Sequence, residues 1–285
     1  MFWRRKKKQP LSIAPEPAPT ETAATGPEPM ASLVSDVGCH RELNEDSGRI
    51  VHAGPGRGLL VIVADGMGGH QAGEVASQTA VETIGKEYRT GEGTPGEALA
   101  AAFRKAHQRI FDLGHADRSM SGMGTTCTAL AINGDEAWAA HVGDSRLYLV
   151  RDGSIYQLSE DHTQCMEMVR RGLMTMEEAH QHEDRNVLTH AMGTRPQLHA
   201  MFFDAPMKVL PGDKYLLCSD GLHDLVSESD MQDVLRFNGS EPACRKLVTM
   251  AKGRGGFDNV TAAVVSIPGG DAAALKETRD IEVKE

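Results

Sequence analysis

The chain has no apolar run near the length of a membrane span, no Cys-x-x-Cys pair, no surplus of positive charge and no internal repeat. A spanning helix needs about 20 consecutive apolar residues, so none is expected. The five cysteines, Cys39, Cys127, Cys165, Cys218 and Cys244, are odd in number and scattered. They read as reduced, buried thiols rather than a disulfide framework. A formal net charge of −10 argues against a nucleic-acid binder, which carries a basic face. "MFWRRKKKQP" is basic but has no apolar stretch behind it, so no secretory signal is expected and the cytoplasm is the expected compartment. There is no HExxH and no Cys/His zinc spacing, and "DGMGGHQAGE" lacks the alternating ligands of an EF-hand. "GMGG" meets neither the GxGxxG pattern nor a P-loop, which requires a lysine.

What remains is an ordinary globular composition, 40% hydrophobic and 25% charged over 285 residues. Residues 1–30 stand apart: a basic cluster, Arg4 to Lys8, precedes a Pro/Ala/Thr/Glu-rich stretch with little to bury. That is expected to be a disordered tail, with only weak capacity to touch an anionic membrane. Residues 31–267 form the expected folded domain, and 268–285 a flexible charged tail. Strands are expected at "ASLVSDVG", "GRIVHAG" and "GLLVIVAD", then helices at "AGEVASQTAVETIGKEY" and "PGEALAAAFRKAHQRIFDLG". Further strands pair through two hairpin dipeptides, Asn133-Gly134 and Asp152-Gly153. Residues 161–190 read as helical and irregular. They are followed by strands at "MFFDAPMKVL" and "DKYLLCSD", a helical stretch over roughly 228–252, and a last strand at "NVTAAVVSI". Hairpin-joined strands without strict strand-helix-strand alternation predict an α+β fold, two antiparallel sheets face to face with helices outside.

Four aspartates lie at strand ends. Asp65, Asp144 and Asp220 close apolar strands and each has a glycine beside it, and Asp258 opens one. One such Asp-Gly is usually a turn. Four in a chain, if they converge, would repel unless a cation lay among them. Carboxylate oxygen is hard and favours Mg²⁺ or Mn²⁺ over zinc. Two such ions about 4 Å apart could hold a water for in-line attack on a phosphate ester. Arg41, just ahead of Asn44, Glu45 and Asp46, could grip phosphate oxygens or simply pair with those acids.

Taken in order, "SDVGCHRELNEDS", "VADGMGGHQAGEVAS", "GMGTTCTAL", "HVGDSRLYLVRDG", "LSEDHT", "LTHAMGT", "LLCSDGLHD" and "DNVTAAVV" resemble the metal-dependent protein phosphatases of the 2C type, in their bacterial branch. The resemblance runs from about residue 32 to 267. It implies a central sandwich of two antiparallel sheets flanked by helix pairs. It implies hydrolysis of phosphoserine and phosphothreonine in proteins with two core Mn²⁺ or Mg²⁺ ions and a third, weaker one. By that likeness Asp65 bridges the core metals, Gly66 offers a backbone carbonyl, Asp220 and Asp258 bind the second metal and Asp144 the third. Glu45 and Asp46 orient the attacking water, and Arg41 holds the phosphate. The implied partners are phosphorylated proteins and a cognate serine/threonine kinase; the chain is expected to be a monomer. Residues 161–190 match the variable flap. Two departures stand out: Met67 occupies the place of a general-acid histidine found outside the bacterial branch, with His70 nearby, and His190 replaces an arginine common in bacterial members.

Other readings are weaker. Cys165 to Arg171 satisfies Cys-x5-Arg, but bulky residues, Glu167 and the lack of glycine disfavour a thiol phosphatase loop. "HQHEDR" is expected to be solvated polarity rather than a metal cluster. A catalytically dead phosphoprotein-binding module would have lost a metal ligand, and every matched ligand is present. A scaffold role for the basic tail is separable by deleting residues 1–30.

Overall fold

A computed structural model describes residues 28–68 and 72–269. The readings made for 1–27 and 270–285, and for His70, lie outside these residues.

β3 (Gly58–Met67) shows how the chain builds its centre. Its run Leu59 to Ala64 is buried at every position. Side chains alternate across a strand, so one face carries Leu59, Val61 and Val63 and the other Leu60, Ile62 and Ala64. The first set packs between two sheets, against Leu130, Leu147, Leu217, Ala263 and Val265. The second packs under helices, against Ala76, Ala80, Ile84 and Phe103. A strand covered on both faces reads as an unbroken apolar run.

β1 (Met30–Asp36) opens at the last residue of the expected tail, Met30, opposite Ser266. β2 (Asp46–Gly54) pairs with β3. The helices α1 (Ala72–Thr90) and α2 (Pro95–Ala116) follow; Thr94 and Glu97 form a reciprocal cap and Pro95 starts the first turn. β4 (Gly124–Thr125), β5 (Cys127–Asn133), β6 (Glu136–Val142), β7 (Arg146–Arg151) and β8 (Ser154–Gln157) come next. Both anticipated hairpins form. At the second, Asp152 and Gly153 have φ of 51° and 76°, the left-handed pair a tight two-residue turn needs.

The 161–190 segment carries α3 (Gln164–Arg170) and α4 (Met176–Gln181), capped by Thr163 and Thr175. The strand expected over 201–210 is reduced to β9 (Met201–Phe202) and β10 (Met207–Lys208). Pro206, which has no N–H to give a ladder, stands in the interruption. β11 (Lys214–Cys218) runs into the short helix α5 (Asp220–His223). The single helical stretch expected at 228–252 is two helices, α6 (Glu228–Phe237) and α7 (Ser240–Gly253), broken at Asn238-Gly239. β12 (Val260–Ser266) ends the fold.

The sheets have strand orders β1-β12-β11-β7-β8 and β10-β6-β5-β3-β2, with β4 and β9 as short additions to the second. All pairings are antiparallel. α1 and α2 cover one outer face; α6 and α7 cover the other through Leu235, Leu247 and Val248 on Leu216 and Val264. The α+β sandwich expected from the sequence is the architecture observed.

Candidate metal centre

The acidic residues gather where the two sheets meet at one end. β3 brings Asp65 to that end and β2 leaves it with Asp46, the two directly opposite in register. From the other sheet, β11 ends one residue before Ser219-Asp220, and Asp258 lies in the loop entering β12. Asp144 sits in the turn from β6 to β7, where the chain changes sheets.

The backbone around each is tied down. The Asp65 carbonyl accepts from Thr126 N–H and Thr125 Oγ1, both at 2.8 Å, and its N–H donates to Thr126 Oγ1 at 2.9 Å. Gly66 N–H donates to the Glu45 carbonyl at 3.1 Å, and Ser77 Oγ donates to the same carbonyl at 2.6 Å. A Cβ at Gly66 would stand 2.0 Å from the Gly73 carbonyl oxygen. Only glycine lets the strand end and the start of α1 approach so closely. Asp46 Oδ2 accepts from Ser219 Oγ and Thr261 Oγ1, each at 2.7 Å, which joins the two sheets at the carboxylate. The Asp144 carbonyl accepts from His223 Nε2 at 3.0 Å.

Asn259 is a residue that the sequence reading missed. Its Oδ1 accepts from Glu45 N–H at 2.8 Å, and its Nδ2 donates to the carbonyls of Val37 and Leu43 at 3.0 and 2.9 Å. It thereby clips the Arg41 loop to the Asp258 loop. Ser219, Thr261, Thr126 and His223 were missed too; only adjacency to Asp220 and Asp258 in "CSDGLHD" and "DNVT" hinted at some of them.

Arg41 does not pair with the acids that follow it. Its Nη2 lies 2.7 Å from Asp258 Oδ2, across 217 residues of chain, with both side chains partly exposed. The basin places the remaining carboxylates under strong mutual pressure. Burial, then the charges of Asp46, Asp220, Asp144 and Asp258, pushes Asp65 well above the usual carboxylate range. Burial and Asp220 do the same to Asp144. Burial raises Asp220 although His223 opposes it. Burial raises Asp46 to about 7 against its two hydroxyl partners. Glu45 is raised by burial, with Arg41 opposing.

Among the described residues no three His, Cys, Asp or Glu side chains close into a ready-made cage. The fit to cations rests on other features. Glu45 Oε1, Asp46 Oδ1 and Asp220 Oδ1 are buried oxygens with no hydrogen-bond partner. Buried acceptors are normally satisfied, and these belong to groups whose charges repel. Divalent cations would meet both demands, and an all-oxygen donor set suits Mg²⁺ or Mn²⁺.

The other candidates fall elsewhere. Met67 is half-buried at the basin edge. Cys165 is buried in α3 with its thiol pushed up by burial, and Arg171 pairs with Glu167, so no phosphate-binding thiol loop exists there. The 180–185 stretch is mostly exposed; Asp184 N–H donates to His182 and Arg185 reaches Asp224. His190 lines a cavity of about 280 Å³ with His162, Arg170 and His199, beside the turn that carries Asp144.

A family model described as Protein phosphatase 2C matches residues 40–250. The protein phosphatase PhpP of Streptococcus pneumoniae is 37% identical over 248 residues, covering 85% of this chain and 98% of that protein. The crystal structure of the Mycobacterium tuberculosis serine/threonine phosphatase PstP/Ppp superposes with a TM-score of 0.77 at 35% identity, over 85% of this chain and 99% of that one. A crystal structure of the PstP catalytic domain in complex with two manganese ions superposes with a TM-score of 0.74 at 34% identity, over 85% and 99% of the two chains.

Proposed function

The chain belongs to the protein phosphatase 2C family, and we propose that its acidic basin hydrolyses phosphoserine and phosphothreonine in proteins with two divalent cations, Mn²⁺ or Mg²⁺. The observation that carries this reading is the basin itself, with its raised carboxylates and orphaned oxygens. Asp65, the Gly66 carbonyl, Asp220 and Asp258 hold the core ions, and Asp144 holds a third, weaker one. When bound, the ions supply Lewis acidity toward the phosphoryl oxygens and make water acidic enough to attack near neutral pH.

The chain's own groups do the rest. Arg41 commits one guanidinium nitrogen to Asp258, and its other N–H groups can take phosphate oxygens. The orphaned oxygens of Glu45 and Asp46 accept hydrogen bonds from the attacking water and orient it. Asn259 keeps this geometry by pinning Glu45 beside Asp258. Met67 cannot donate a proton to the leaving alkoxide, so either water or the leaving group's own chemistry takes that role.

The partner class is phosphorylated proteins, and we infer a cognate serine/threonine kinase, a monomeric enzyme and a cytoplasmic setting. None of the helices among the described residues is long and apolar enough to cross a membrane. Residues 31–267 would form the phosphatase domain, with 161–190 as a flap that influences substrate choice.

The test is hydrolysis of a phosphothreonine peptide and of para-nitrophenyl phosphate with EDTA, Mg²⁺ or Mn²⁺, beside Asp65→Asn. Turnover should require the cation and fall by orders of magnitude in the folded variant. Near-normal activity of Asp65→Asn with cation present would remove the two-ion assignment.

A further inference from the structure

Phe257 is 61% exposed, directly before Asp258. His40, directly before Arg41, is exposed as well. The two rings stack, with centroids 5.2 Å apart and planes at 28°. An exposed aromatic pair on two separate loops is held here by backbone rather than by chance. Cys39 N–H donates to the Gly256 carbonyl at 2.8 Å. A Cβ at Gly38 would stand 2.1 Å from the Asp258 carbonyl oxygen. Gly255, at φ +131°, lies under the Phe257 ring, where a Cβ would come within 2.4 Å of it. Asn259 Nδ2 pins Leu43, itself 37% exposed, on the same loop as His40. Two consecutive residues on each loop therefore do different things: Arg41 and Asp258 pair at 2.7 Å, and His40 and Phe257 stack beside them.

We propose that His40 and Phe257 form a shelf for an apolar or aromatic side chain adjacent to the phosphorylated residue of the substrate. This rests on the phosphatase reading and adds a specificity element to it. With phosphate oxygens on Arg41, the neighbouring residue of an extended peptide lies about 3.3–3.8 Å along the chain. That distance brings it to the residues that precede Arg41 and Asp258. The occupant is apolar because the surface offered is ring: the carboxylate directly after Phe257, Asp258, is already matched by Arg41. Offset stacking on such a pair is worth about 2- to 12-fold in affinity.

The experiment measures KM and kcat for phosphothreonine peptides that differ only in the residue before or after the phosphothreonine: Phe, Ala or Arg. Phosphothreonine itself is the substrate without a neighbour. Wild type, Phe257→Ala and Phe237→Ala are compared with cation present; Phe237 is 68% exposed on α6 and serves as the control ring. The expected result is a KM about 2- to 12-fold lower for the Phe peptide than for the Ala peptide on at least one side, with similar kcat. Phe257→Ala should bring that ratio to within twofold, and Phe237→Ala should keep it. A preference that survives Phe257→Ala, an absent preference, or a preference for Arg overturns the shelf while leaving the phosphatase reading intact. Wild type that fails to hydrolyse phosphothreonine under any cation overturns both.

Discussion

Arg41 and Asp258 meet at 2.7 Å in a place where both remain half open to solvent. An exposed pair of this kind adds little stability, so its value lies in aiming the guanidinium. Arg41→Ala should leave the fold intact and raise KM for a phosphopeptide, by an amount set by a charged hydrogen bond of about 1.5–3 kcal/mol, or roughly 10- to 150-fold. Steady-state kinetics checks it, and an unchanged KM would take Arg41 out of the site. At this scale the sequence was informative about which residue types matter and silent about who touches whom. The aspartates beside glycines in "ADGM" and "SDGL" announced themselves. The partner of Arg41 did not, because it lies 217 residues away. Asn259 was hidden for the same reason: its side chain reaches Val37, Leu43 and Glu45, more than two hundred positions back.

Among the elements, β3 was the easiest to read, because burial on both faces demands six apolar residues in succession. The break between α6 and α7 was harder. Asn238-Gly239 is its signal, and the surrounding helical spacing on both sides masks it. The 161–190 segment is anchored at its base, where Thr163 bridges Leu188 and Gln164 N–H donates to Val187 O at 2.9 Å. Its outer part is tied to the body by Arg185 and Asn186, both 3.3 Å from Asp224 Oδ2. Exposed contacts such as these contribute on the order of 1 kcal/mol together. Removing them in Arg185→Ala/Asn186→Ala should leave the melting temperature nearly unchanged. Proteolytic cleavage within 171–187 should quicken several-fold, since local opening sets that rate. Limited proteolysis with mass analysis decides it; equal cleavage rates would show that the base alone holds the segment.

At the scale of the whole molecule, the site is a seam. Asp46 and Asp65 come from one sheet, Asp220 and Asp258 from the other, and Asp144 from the turn between them. Cations bound there would cross-link the sandwich, and without them its stability should depend on pH in a definite direction. Folded Asp46 keeps its proton to about pH 7, raised by burial. Unfolded aspartates release theirs near pH 3.9. The folded state thus holds a proton that the unfolded state lacks between those values, and stability present at low pH is lost as pH rises. Asp46 alone accounts for at most about 4 kcal/mol, and Asp65, Asp144 and Asp220 push the same way. The opposing groups are the histidines His141, His162, His107 and His190. Burial lowers His141 to about 4 and His162 to about 3 and lowers His107 and His190 as well, with Asp161, Arg146, Arg170 and His199 as charged or titratable neighbours. They remain neutral while unfolded histidines gain protons below about 6.5, so they subtract stability only on the acid side. In EDTA, therefore, above the histidine range the melting temperature should fall between pH 7 and pH 8, where Asp65 and Asp144 add to Asp46. Excess Mg²⁺ should abolish that fall, since cations compete with protons for these carboxylates and a ligand at 100 times its Kd adds about 2.7 kcal/mol. Thermal melts at fixed ionic strength, with and without Mg²⁺, read this directly. A flat metal-free profile from pH 7 to 8 would mean that the carboxylates do not repel across the seam, and the argument for cations drawn from their crowding would fail with it.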